Sequence, residues 1–189
     1  MVVLSKRPSR HPIETIRAWW DQQRGARPMP KRSELDPAAL RAILSDLMII
    51  DVAEGKQPGR HVFTYRLVGT SVDDNLGIHI TGKTVQAALL NDAADSVQQQ
   101  YEMVVVERRP VLCTHRMMVA ETRYVEYQRL ALPLAGEDGL TVVALVAAVN
   151  FTCAYSVEAG RPSFCRGPNE CDCQDLCLDM AIRAAAERA

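Results

Sequence analysis

The sequence predicts an α+β fold: a five-stranded antiparallel sheet with helices inserted after the second strand, plus N- and C-terminal helices. Three observations carry this. Five segments of strand length alternate or run apolar, with turn residues between them. The longest stretch of helical period lies between the second and third of these segments. The last segment, residues 140–150, is apolar almost throughout, as a central strand covered on both faces would be.

The elements follow in order. From Pro12, the residues Ile13, Ile16 and Trp20 recur at i, i+3 and i+7 with Trp19 beside them. This predicts an amphipathic helix over 12–24, with Pro12 in its first turn and Gly25 at its end. Two adjacent tryptophans carry too much apolar area to face water, so they cover either the body of the chain or a second copy. Ile16, Trp19 and Trp20 are the homodimer contact expected from this pattern. Asp36-Pro37 reads as the start of a short helix reaching residue 44. Residues 47–52 and 61–68 then form a hairpin around a turn containing Gly55, Pro58 and Gly59, with Phe63, Tyr65 and Leu67 on one face.

Gly69-Thr70 ends the second strand; Thr70 to Asp73 reads as a capping-box start, and Gly77 as a left-handed stop. Residues 84–108 form one long helix with Val85, Leu89, Val97, Tyr101, Val104 and Val105 inward, halted by Pro110. Three strands follow over 111–120, 124–134 and 140–150, the last two joined by the Gly136-Glu137-Asp138-Gly139 turn. A terminal helix closes the chain. The organisation is a basic arm and amphipathic helix over 1–35, a sheet domain over 36–152, and a cysteine-rich tail over 153–189.

Composition sets the class. With 48% hydrophobic and 24% charged residues in a chain of 189, one globular core with extensions is expected. No apolar run reaches bilayer length and the first residues lack the pattern of a secretion signal, so no membrane insertion and a cytoplasmic location are expected. The six cysteines then default to thiols. Charge is uneven: the first 32 residues carry +6 and the remainder −7. Such an arm meets solvent, an acidic partner, nucleic acid or the acidic body of its own fold.

Two strands, short helices, a long helix and three strands is an order that resembles PAS domains. Phe63-Thr64-Tyr65-Arg66-Leu67-Val68-Gly69-Thr70, with Gly77 and Gly82 beyond, is similar to small bacterial proteins made of one PAS domain and little else. The Trp19-Trp20 helix, the Leu47 to Asp51 strand and Leu132-Pro133-Leu134 share that likeness, which runs from about residue 11 to 152. The resemblance implies a hydrophobic or cofactor pocket between sheet and helices, a signalling or scaffolding role, and no catalytic residues. Phe63, Tyr65 and Leu67 are the candidate ligand-facing stripe, against the plainer reading of simple packing. Because PAS pockets can hold haem through one axial histidine, His61, His79 and His115 are the haem candidates, each equally explained by ordinary hydrogen bonds. Arg66 and Arg129 are expected to pair with acids on the sheet face.

The sharpest local pattern is Cys165-x5-Cys171-x-Cys173-x3-Cys177. Four thiols so close in sequence can surround one tetrahedral zinc, and a helix start would put Cys173 and Cys177 on one face. The spacing is not that of paired CxxC knuckles, so redox thiols or inert cysteines stand beside the metal reading. Cys113 and Cys153 read as core residues. No GxSxG, HExxH or phosphate-binding glycine loop is present, and the chain is read as no enzyme. The expected function is a PAS-domain sensory regulator acting through ligand sensing and an unidentified protein partner. A thiol- or zinc-based module on the same scaffold is the alternative. Nucleic-acid binding through the basic arm has no helix-turn-helix pair or stacking aromatics behind it.

Overall fold

A computed structural model of the chain describes residues 11–57, 59–89, 91–120 and 123–156. Its element order is α1 (Pro12–Arg24), β1 (Leu47–Glu54), β2 (His61–Val68), α2 (Thr70–Leu76), α3 (Val85–Ala88), α4 (Asn91–Glu107), β3 (Val111–Ala120), β4 (Arg123–Ala135) and β5 (Val142–Ser156). The strands form one antiparallel sheet in the order β2-β1-β5-β4-β3. The sequence-derived α+β class holds. The expected C-terminal helix, Cys165, Cys171, Cys173 and Cys177 lie outside the described residues.

β5 is central, and the run Ala144 to Val149 is buried throughout, because both of its faces are covered. On one face lies α1. His11, at its start, meets the Asn150 side chain at 3.1 Å, and Trp20 Nε1 donates to the Pro133 carbonyl at 2.8 Å. Ile16, Trp19 and Trp20 are all buried within the single chain. That corrects their assignment to a dimer contact: their apolar area is already spent on the chain's own sheet. Of the described basic residues of this segment, Lys31 pairs with Glu137 of the sheet domain at 3.3 Å, while Arg27 pairs with Glu34 within the segment itself at 3.0 Å.

The opposite face carries α2, α3 and α4. α2 starts after Gly69, which is the N-cap, with no side-chain capping bond; Asp73 bonds His79 instead, at 2.7 Å. Gly69 has an ordinary φ of −70°. It must be glycine for space, since a β-carbon would overlap the carbonyl oxygens of Leu44 and Ser45. Gly77 is left-handed, as expected, and its N–H closes on the Asp73 carbonyl at 2.8 Å.

Two predicted helices change form. Residues 36–44 make successive i to i+3 turns, because Asp36 Oδ1 accepts from the Ala38 N–H in a local turn, while Leu40 and Ile43 are buried. The long helix divides into α3 and α4, since Leu89 is extended (φ −120°, ψ 157°) and turns its side chain inward. Arg108, at φ 51°, ends α4 before Pro110. β5 also outruns its expected end: Tyr124 pairs with Tyr155 and Arg123 with Ser156, so the sheet extends into the segment assigned to the tail.

Candidate functional site

The candidate site is the interior between the sheet and α2–α4. Cross-strand pairing puts Met48, Ile50, Tyr65, Tyr127, Arg129 and Val149 on this helix-side face. A void there is lined by Met48, Tyr65, Val72, Leu76, Ile80, Leu89, Tyr127, Arg129, Val149 and Phe151. About 10 Å³ of it is open to the centre of a water-sized sphere, room for about one water.

Arg129 decides the chemistry. It is 2% exposed, and Gln100, reaching from α4, is equally buried. Arg129 Nε donates to Gln100 Oε1 at 2.9 Å; Nη2 bonds the same oxygen and meets His115 Nε2 at 3.1 Å. The guanidinium also lies over the Tyr101 ring, 4.8 Å from its centroid. Gln100 spends its amide on the carbonyls of Val111 and Arg129, both at 3.4 Å.

The expected acid partner for Arg129 is absent among the described residues: the groups acting on its charge are Tyr101, Tyr127, Tyr65 and Cys113. Burial opposes the charge, and these four outweigh it, so the Arg129 pKa is raised and the cation persists. His115 bears the consequence. Burial and then the Arg129 guanidinium push its pKa down to about 4, so its ring is neutral at pH 7. Burial drives the Tyr65 and Tyr127 phenols up. The Tyr101 hydroxyl is buried with no hydrogen-bond partner among the described residues.

The sequence-derived stripe is only partly here. Tyr65 lines the void; Phe63 is buried but packs edge-on to Tyr101, with ring centroids 5.3 Å apart. Leu67 is on the other face. Tyr65 pairs with Ile50 and Leu67 with Ile49, so the irregularity at Arg66 inverts the alternation. Arg66 itself is exposed.

The histidines do not assemble into a haem site. His79 is an exposed side chain beside Asp73, and His61 is tied through Nδ1 to Glu102 at 2.7 Å on the sheet's border with α4. Of the three, His115 alone reaches the interior, stacked on Tyr127, and its Nε2 lies 3.1 Å from both Arg129 Nη2 and Gln100 Oε1, accepting from the first or donating to the second according to its tautomer. A haem needs that nitrogen and far more room than one water, so the residues present do not fit it. No group of three His, Cys, Asp or Glu among the described residues could hold a metal.

Sequence reasoning named Arg129 but gave it an acid partner, and missed Gln100 and the inward residues of α2. One signal was there: Val125, Tyr127, Arg129 and Ala131 are in phase, so Arg129 occupies an inward position of an apolar strand.

With this geometry in place, comparison with known proteins gives the class. The family described as PAS domain matches residues 9–147, and the chain belongs to it. No curated protein matches the chain significantly. Among solved structures it is similar to a light-oxygen-voltage domain studied with a flavin analogue, at 8% identity and TM-score 0.47, covering 80% of this chain and 94% of that one. It is also similar to a PAS domain from Colwellia psychrerythraea (13% identity, TM-score 0.41, 61% and 97% covered). The PAS domain of Bordetella pertussis BvgS matches at 14% identity and TM-score 0.38, covering 57% and 75%. Membership rests on the family match. Among the described residues no helix is long and apolar enough to cross a membrane.

Proposed function

We propose that this PAS domain is a sensory regulator whose signal is a small molecule entering the helix-side interior, and whose output is binding to a protein partner. The observation behind the reading is the buried Arg129 cluster beside a void, on the face closed by short, broken helices. α2 and α3 span Thr70–Leu76 and Val85–Ala88, too short to be stable alone, so they can yield to a ligand. A homodimer belongs to the proposal, with light scattering as its measurement. A thermal-shift screen of the full chain against a chemically mixed metabolite library, with an absorption spectrum of the purified protein, tests the sensing. At least one compound is expected to raise the midpoint through the interior. A library without effect, on protein without a chromophore, would sink it.

A second reading stands on the sequence alone. Cys165, Cys171, Cys173 and Cys177 carry the proposal of a zinc site or redox thiols, tested by metal content and thiol titration of anaerobically purified protein.

A further inference from the structure

We infer that the ligand of this interior is a monovalent organic acid: a carboxylate seated on Arg129, with a short apolar tail among Val72, Leu76, Ile80 and Leu89. The inference rests on the sensory reading and specifies its ligand. A buried cation without a counter-charge is a standing electrostatic cost, and an entering anion would remove it. The guanidinium is held ready for this. Gln100 and His115 hold Nε and Nη2, the Tyr101 ring supports the plane, and the side chain lines the void.

Charge count selects the head group. Among the described residues Arg129 is the one cation lining the void, so a single negative charge is neutralised and a dianion would bring an uncompensated one. The remaining lining selects the tail. Apart from Arg129 and the two tyrosines, every residue around the void is apolar. A polar tail would lose its water there without gaining partners. The room for about one water limits the tail to what α2 and α3 can release by moving outward.

The experiment uses the full chain and straight-chain acids from acetate to decanoate, each beside the alcohol of equal length, at constant chloride and ionic strength. Calorimetry is expected to show acids binding at least tenfold tighter than their alcohols, with affinity rising to an intermediate length and then falling. Arg129→Met is expected to remove the acid preference. Leu76→Phe, which keeps the cation and fills the tail space, is expected to shift the optimum to shorter acids, so the inference stays testable if the first variant does not fold. Equal binding of acids and alcohols, or unchanged acid binding in either folded variant, overturns it. Neutral library compounds that bind and are blocked by Leu76→Phe would overturn the acid and leave the sensory reading standing; silence from acids and library together removes both.

Discussion

The two faces of the sheet are built to different rules. The face under α1 is packed from apolar bulk: two tryptophans and Ile16 bury against β4 and β5, Trp20 Nε1 is satisfied by Pro133, and the polar groups His11 and Asn150 meet only at the start of the helix. The face under α2–α4 keeps a cation, a neutral imidazole and an unpartnered phenol around a void. The first arrangement maximises stability. The second gives up stability at one place, as sites that must respond to something commonly do. Substitutions should therefore differ in sign, not merely in size, between the faces.

The largest effect is expected from Trp20→Ala, which removes a buried indole and its hydrogen bond; unfolding in urea should show a loss of about 3–5 kcal/mol. Gly69→Val tests the rigid point of the other face, where β2 hands over to α2. Overlap with the Leu44 and Ser45 carbonyls is expected to cost about 3 kcal/mol, read as a lower denaturation midpoint at unchanged m-value. Gln100→Leu strips Arg129 of its main acceptor, and a loss of about 1.5–3 kcal/mol is expected. Arg129→Met removes the cation itself. Ligand-free protein should then be as stable as the parent or more so, by about 1 kcal/mol. If both variants destabilise alike, Arg129 belongs to ordinary packing and the contrast between the faces fails.

A further effect is on pH. His115 binds its proton with a pKa of about 4 in the folded chain, against 6.5 as its ordinary value. Below pH 6.5 the unfolded chain takes up a proton that the native state refuses. The His115 contribution is thus fully present above pH 6.5 and lost as pH falls towards 4. His115→Phe should flatten the stability profile between those limits; a profile parallel to that of the parent would place His115 outside the influence of Arg129.

Most of the fold was legible because its signals are local. The apolar run of β5, the Gly136-Gly139 turn, Gly77 and the tryptophan period each fix one element without reference to the rest. What escaped depends on partners distant in sequence. The bulge that inverts Leu67 exists only in the pairing of β2 with β1, and the break at Leu89 answers to the interior that receives its side chain. The site was the least legible part. Arg129 and Gln100 are 29 residues apart, and nothing in either neighbourhood announces that a cation there will find an amide and a histidine in place of a carboxylate. The tryptophan helix was read correctly as covering something, but which surface it covers is a tertiary matter.

The strand order has a kinetic consequence. β1 leaves the ribosome about 100 residues before the strand it must lie beside, since Leu47 pairs with Ala148. At typical rates of synthesis that is a delay of about 5–20 s. Through that interval the β1–β2 hairpin has one side with no strand to pair with, and Leu47, Met48, Ile49 and Ile50 have no core to enter. Such an edge invites pairing with any other nascent chain. The sheet closes only when β5 slides between β1 and β4, so folding waits on the least local strand pairing of the sheet. The yield of folded protein is therefore expected to depend on the rate of elongation across residues 55–141, which expression with altered codon usage over that span would show.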